Sequence, residues 1–275
     1  MTAQYLVFTD LDGTLLDHYN YSYQAAEPTL EALERQQIPV IPTTSKTRAE
    51  LIQLRQDLKN QHPFVIENGA AVFIPKAYFP TPPEDVEEVD EFWVRSFSPK
   101  RLYWTQLLES LFVRFKDQFT YFSKMGVTDI VKATGLSEAD AASANEREYS
   151  EPILWIGTEE RKTEFKQVLA EHGIWVIEGG RFLHLSNGCD KGKALKWLTS
   201  VYQSNSPDQS MFTIALGDSH NDVAMLEASD QPIIIKSPTK HPPNLTTHQP
   251  IIISRQCGPE GWSETLNRFL SIAKY

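Results

Sequence analysis

Phe8-Thr9-Asp10-Leu11-Asp12-Gly13-Thr14-Leu15-Leu16-Asp17 joins the end of an apolar run to an acidic turn. The apolar run at 5–8 mixes aromatic and aliphatic side chains without a polar break, the pattern of a buried strand. The acidic turn therefore stands at a strand's C-terminal end, where open α/β sheets keep their ligand crevice. Asp10 and Asp12 are close enough to converge on one small cationic or electrophilic group, and Gly13 lets the backbone turn sharply beside them. Two ionised aspartates so placed repel unless a metal ion or a proton relieves them. Asp and Gly are also ordinary turn formers, so a solvated turn is the alternative reading of the stretch taken alone. Three further stretches complete its chemistry.

Working outward, Pro28 stands at the first position of a short helix with Leu30, Ala32 and Leu33 on its apolar side. A strand at 38–41 ends in Pro42-Thr43-Thr44-Ser45-Lys46-Thr47. Thr47 and Glu50 read as a capping box for the next helix, which leaves Thr44 and Lys46 unexplained. A third strand at 64–66 is followed by Glu67-Asn68-Gly69 and a hairpin partner at 71–74. Strands alternating with helices predict an α/β fold on a parallel, doubly wound sheet.

The texture then changes. Pro75, Pro80, Pro82 and Pro83 precede an acidic run at 84–90, which reads as a linker leaving the core. Beyond it the pattern is α+β: strands at 92–97 and 153–156, a helix carrying Leu107, Leu108, Leu111, Phe112 and Phe115, and a helix capped by Ser137. A third helix ends at Gly173, and a hairpin of 174–177 with 182–185 crosses Gly179-Gly180. The alternation resumes at Asn187-Gly188-Cys189-Asp190-Lys191, opening a helix. A strand at 211–216 follows and ends in Gly217-Asp218-Ser219-His220-Asn221-Asp222. Strands at 233–235 and 251–253 and a helix with Trp262, Leu266 and Phe269 close the chain. The expected organisation is a catalytic core of 1–83 and 187–275 with an inserted α+β cap at 84–186.

With 275 residues, 41% hydrophobic and 23% charged, the chain can bury a sizeable core. A formal charge of −10 argues against nucleic acid or an anionic membrane as partner, since both select clustered Lys and Arg. Cys189 and Cys257 have neither a disulfide framework nor zinc-ligand spacing, which fits a reducing compartment. The N-terminus shows no charged leader ahead of a long apolar core, and no run approaches bilayer length. The expectation is a cytoplasmic protein.

A carboxylate pair, a hydroxyl pair, a lysine and a second acidic cluster thus stand at successive strand or helix ends. Phosphoryl transfer needs such a set, because a phosphate dianion repels its nucleophile until cations spread its charge. Mg²⁺ prefers octahedral oxygen ligands, which Asp10 and Asp218 can supply with waters and a backbone carbonyl. Asp-Leu-Asp-Gly-Thr-Leu-Leu resembles the nucleophile motif of the haloacid-dehalogenase-like (HAD) phosphatases, and the resemblance extends to all four stretches. It implies Asp10 as the nucleophile that becomes an aspartyl phosphate, and Asp12 as general acid then base, with its main-chain carbonyl on the metal. It implies Thr44 bonding the phosphoryl group, with Thr43 the alternative one residue away. Lys191 would neutralise nucleophile and phosphate, Asp218 would bind Mg²⁺, and Asn221 and Asp222 would orient that shell. His220 suits a hard Mg²⁺ site poorly and is expected to be exposed or outside the ligand set.

The inserted module's place between the hydroxyl and lysine stretches is similar to the type II (Cof-like) cap. Arg147-Glu148-Tyr149-Ser150-Glu151-Pro152, with 44–47, Glu67-Asn68-Gly69-Ala70 and Gly258-Pro259-Glu260-Gly261-Trp262, resembles the mannosyl-3-phosphoglycerate phosphatase family. The resemblance implies a small-molecule substrate, a phosphorylated sugar-glycerate, with mannose first and glucose close behind. Arg147 can grip a carboxylate bidentately, or pair with a surface glutamate instead. Glu148, Tyr149, Ser150 and His184 can bond sugar hydroxyls, and Lys46 stands where the commoner type II pattern has an arginine. The alternatives are another sugar-phosphate phosphatase or phosphomutase of this fold, or a binding protein on the same scaffold.

Overall fold

The computed structural model describes residues 3–179 and 182–272. In chain order the elements are β1 (Ala3–Thr9), α1 (Glu27–Arg35), β2 (Val40–Pro42), α2 (Arg48–Asp57), β3 (Phe64–Ile66), β4 (Ala71–Pro75), β5 (Glu87–Val89) and β6 (Phe92–Ser96). There follow α3 (Arg101–Phe112), β7 (Phe119–Tyr121), α4 (Val127–Thr134), α5 (Glu138–Asn145), β8 (Ile153–Trp155), α6 (Glu159–Glu171), β9 (Trp175–Gly179) and β10 (Phe182–Ser186). The chain continues through α7 (Lys191–Asn205), β11 (Ser210–Gly217), α8 (Val223–Ala228), β12 (Gln231–Lys236), β13 (Ile252–Cys257) and α9 (Gly258–Phe269). Two compact units result, one of residues 1–44, 60–95 and 190–275, the other of 45–59 and 96–189.

The first unit is built on a five-stranded sheet of order β13-β12-β11-β1-β2, every pair parallel. Its central strands read as continuous apolar runs because both faces are covered: Leu6, Val7 and Phe8 of β1 and Ile214, Ala215 and Leu216 of β11 are fully buried. Helices α7 and α8 pack against β11, and α9 packs against β12 and β13. Trp262 of α9, fully buried, donates its indole N–H to Thr9 Oγ1 at 3.0 Å, so even its polar atom is satisfied in the core.

The register of this sheet positions the site. Thr9 lies opposite Leu216 on one side and Pro42 on the other. Asp10 N then donates to Leu216 O, and Thr43 N to Thr9 O, at 2.9 and 2.8 Å. Three strands therefore end nearly level, and Asp10, Thr43 and Asp218 follow their last residues.

A second sheet in this unit has the order β3-β4-β6-β5, with β3 and β4 an antiparallel hairpin (Phe64 opposite Phe73) as expected. Strand β3 touches the parallel sheet's margin through a bridge from Val65 to Thr43. The linker reading of 84–90 is corrected here. Glu87–Val89 pairs antiparallel with Phe92–Ser96 and forms the outer strand. Its Glu87 and Glu88 are exposed, as charged residues are on an edge that must not recruit another chain.

The second unit holds α2 to α6 and the sheet β7-β8-β10-β9, antiparallel throughout. Its core gathers Trp104, Leu108, Phe115, Phe119, Phe165 and Leu169. The expected caps form: Thr47 with Glu50 as a capping box on α2, and Ser137 accepting from Asp140 N on α5. Strands β9 and β10 pair from Gly179 opposite Phe182, while the turn expected at Gly180 lies outside the described residues. Among the described residues no helix is long and apolar enough to cross a membrane.

Candidate active site

The acidic turn after β1 folds on itself. Gly13 N donates to Leu16 O, Thr14 N and Leu16 N both donate to Leu11 O, and Leu11, Leu15 and Leu16 are buried anchors. Gly13 has a φ of +79°, and a Cβ there would stand 3.1 Å from Asp218 Oδ2. A side chain would therefore be strained twice, by its backbone and by the second acidic loop.

Asp10 is 5% exposed, and Lys191, the first residue of α7, is fully buried. Lys191 Nζ donates to Asp10 Oδ1 and to Asp222 Oδ1, each at 2.7 Å. A lysine in a helix's first turn opposes the helix dipole, and these two carboxylates outweigh that. Burial alone would lower the Lys191 pKa; the two ion pairs overcome it and hold the group above its ordinary value.

Asp222 organises the second acidic loop. Its Oδ2 accepts from Asp218 N at 3.1 Å and Ser219 N at 3.0 Å, closing the Ser219 capping box. Asn221 accepts Ser219 Oγ and donates Nδ2 to Asn68 Oδ1 at 3.0 Å. His220 is exposed. Asp218 is 2% exposed, and its buried Oδ1 receives no hydrogen bond.

Among the described residues, Asp10, Asp218 and Asp222 each offer an oxygen, all within 4.8 Å of one another. The carboxyl of Asp10 is pushed up to about 8 by burial and by Asp222, with Asp218 adding to it against the pull of Lys191. Burial and Asp222 raise Asp218 as well. Three buried acids around the Lys191 ammonium, with a hard oxygen left unpaired on Asp218, are a donor set that fits a divalent cation. Because the oxygens of Asp222 are taken by Lys191 and by two backbone amides, Asp10 and Asp218 are the more available.

These shifts carry a pH prediction. Below the ordinary carboxylate value of 3.8 Asp10 costs nothing; as pH rises from there to about 8 the unfolded chain gives up this proton while the metal-free fold keeps it, so the fold loses stability across that window and the cost levels off above it. A divalent cation reverses that cost. The rise in Tm on adding Mg²⁺ is therefore expected to grow steadily between pH 5 and 8, as differential scanning fluorimetry reads. A pH-independent shift would contradict the cluster's role.

Other expected residues of the first unit are placed as follows. Asp12 is half-buried and bridges to Leu16; it is not one of the three converging carboxylates. Thr43 donates its hydroxyl to Ile41 O, and buried Thr44 receives Asn68 N on its carbonyl at 2.8 Å. Sequence reasoning missed Lys240, whose ammonium stands 4.0 Å from Asp218 Oδ2. It sits between prolines in a loop without periodicity, so no local signal pointed to it.

In the second unit, Arg147 donates Nε to Ser150 Oγ and a terminal nitrogen to Ser45 O, both at 2.8 Å. Burial, with the Arg147 charge adding to it, pushes His184 down to about 4, so the imidazole is neutral near pH 7. Glu148 pairs with Arg48 at 2.7 Å, and Lys46 stands 3.7 Å from Glu50. Tyr149 is buried; its hydroxyl receives Lys100 Nζ at 2.7 Å and its carbonyl receives the Trp104 indole. Arg147, Ser150 and His184 thus form one polar group, while Tyr149 is engaged in the unit's packing.

Known proteins resemble this chain over most of its length. The model of the haloacid dehalogenase-like hydrolases matches residues 7–242. A glucosyl-3-phosphoglycerate/mannosyl-3-phosphoglycerate phosphatase of Methanococcoides burtonii is 37% identical over 96% of each chain. A protein of the same name from Persephonella marina is 34% identical over 97% of each. Among solved structures, a HAD-superfamily phosphatase of Bacteroides thetaiotaomicron superposes with a TM-score of 0.70 at 15% identity, covering 98% of this chain and 96% of that one. The sucrose-phosphatase of Synechocystis sp. PCC6803 gives 0.60 at 15% identity, covering 98% of both. The likeness of these two is one of fold. From the acid turn of β1 to the carboxylates after β11, this chain belongs to the haloacid dehalogenase-like hydrolases.

Proposed function

We propose that the protein is a Mg²⁺-dependent phosphatase that hydrolyses a phosphorylated glycosyl-glycerate, mannosyl-3-phosphoglycerate first and its glucosyl analogue next. The observation that carries the reading is the buried Lys191 held between Asp10 and Asp222 at the level strand ends. Two full-length relatives above 30% identity carry names of that activity. Asp10 and Asp218, with the main-chain carbonyl of Asp12, would hold Mg²⁺, which when bound supplies charge neutralisation at the phosphoryl oxygens.

In this reading Asp10 attacks phosphorus in line with the sugar-glycerate oxygen. The P–O bond to the leaving group breaks, and Asp12 gives that oxygen its proton. Asp12 then takes a proton from water, whose oxygen attacks phosphorus and frees Asp10 and inorganic phosphate. Thr44 donates to the phosphoryl group, Lys191 balances the charge that passes between Asp10 and the phosphate, and Asn221 and Asp222 keep Asp218 oriented. The cap, residues 84–186 in the sequence reading, supplies specificity: Arg147 takes the glycerate carboxylate, and Ser150, Tyr149 and neutral His184 take sugar hydroxyls. Lys46 adds a local cation on a net-negative protein. The reading places the protein in the cytoplasm, supported by Cys189 and Cys257 standing outside any disulfide.

The test is phosphate release across phosphorylated sugars and glycosyl-glycerates, with Arg147→Ala alongside. Loss of a charge-assisted fork should lower kcat/KM for the glycerate substrates by about 10- to 100-fold, and leave phosphosugars without a carboxylate far less changed. Equal losses would remove Arg147 from carboxylate recognition. Phosphate retained on the sugar would make the enzyme a phosphomutase.

A further inference from the structure

Residues 67–69 hold three successive positive φ angles, 48° at Glu67, 61° at Asn68 and 90° at Gly69. Asn and Gly tolerate that region; a buried Glu is strained there, and such strain persists only where the surroundings over-determine it. The surroundings here are specific. A Cβ on Gly69 would lie 2.2 Å from the carbonyl oxygen of Asp190, the residue before Lys191. Asn68 N donates to Thr44 O at 2.8 Å. Asn68 Oδ1 receives Asn221 Nδ2 at 3.0 Å, and because Asn221 Oδ1 already accepts Ser219 Oγ, that amide can face Asn68 only with its nitrogen. One strained turn thereby touches the hydroxyl loop, the start of the lysine helix and the second acidic loop.

We propose that Asn68 is a positioning residue for this site: acting through Asn221, it sets the loop of Asp218 and Asp222 against the Thr44 loop. The proposal rests on the phosphatase reading above. Asn221 holds the loop from within through Ser219, and Asn68 holds Asn221 from a turn 153 residues earlier in the chain. Loss of either end of that link frees the same loop. The two residues therefore act as one unit, and removing both should cost no more than removing one.

The experiment is a double-mutant cycle of Asn68→Gly, which keeps the left-handed backbone, and Asn221→Ala. It is read by the Mg²⁺ concentration that gives half the maximal thermal shift and by kcat. Each single variant should raise the Mg²⁺ midpoint about ten-fold, and the double variant should match Asn221→Ala. Asn68→Asp, which keeps an acceptor oxygen for Asn221 and tolerates positive φ, should retain kcat close to wild type. Additive losses, a silent Asn68→Gly, or an Asn68→Asp as impaired as the glycine variant would overturn the proposal alone. A wild type with no Mg²⁺ shift and no phosphate release would overturn the phosphatase reading and this proposal with it.

Discussion

Asp10→Asn is expected to lower kcat by at least about four orders of magnitude while leaving the protein folded, with a Tm within a few degrees of wild type. The amide is isosteric and its oxygen still accepts from Lys191, but it has no lone pair basic enough to displace an alkoxide from phosphorus. The stability expectation follows from opposing terms. Replacing the carboxylate removes an ion pair with Lys191 and also removes repulsion from Asp222 and Asp218, which with burial holds the Asp10 pKa near 8. Phosphate release under saturating Mg²⁺, with thermal unfolding of the same sample, separates the two effects. A variant that keeps more than about a hundredth of wild-type kcat would mean that another group is the nucleophile.

Lys191→Met should do the opposite to stability. It preserves the volume of a side chain with no exposed surface, yet it strips the shared cation from Asp10 and Asp222. Removing one member of a buried ion network leaves uncompensated charge and costs about 3–5 kcal/mol. For a chain of this size that is a fall in Tm on the order of 10 °C in the metal-free protein. Mg²⁺ should restore part of it, because a second cation can serve the same carboxylates, and kcat should still be lost. A Lys191→Met protein as stable as wild type without metal would show that the carboxylates are satisfied by something else.

Much of the site could be read from the chain because its polar groups stand at the ends of strands with unbroken apolar runs. Strands β1 and β11 each run directly into an Asp-bearing turn, and the parallel order places those turns side by side. The capping box at Thr47 is legible because it is local, with both partners within three residues. What the sequence did not disclose is long-range or compositionally ambiguous. The acidic segment around Glu87 has the composition of a linker, and only its pairing with Phe92–Ser96 makes it a strand. The clustering of α2 with the second unit depends on contacts such as Thr47 Oγ1 to Ser143 O, which no periodicity announces. Asn68 stood out only as part of a resemblance; its link to Asn221 exists once three loops are folded. Tyr149 is legible as a hydroxyl suited to a sugar, but its setting is not: the fold buries the ring, with Lys100 Nζ donating to its hydroxyl and the Trp104 indole to its carbonyl.

In the proposed reaction Asp10 carries the phosphoryl group between substrate and water. Asp12→Asn turned over with p-nitrophenyl phosphate isolates that step, because this leaving group needs no proton and the missing base slows attack by water. Acid quench, digestion and mass spectrometry should then find phosphate on the peptide containing Asp10, close to one per chain and dependent on Mg²⁺. Release of nitrophenol with no phosphate bound to Asp10, or with phosphate on a different residue, would contradict the account.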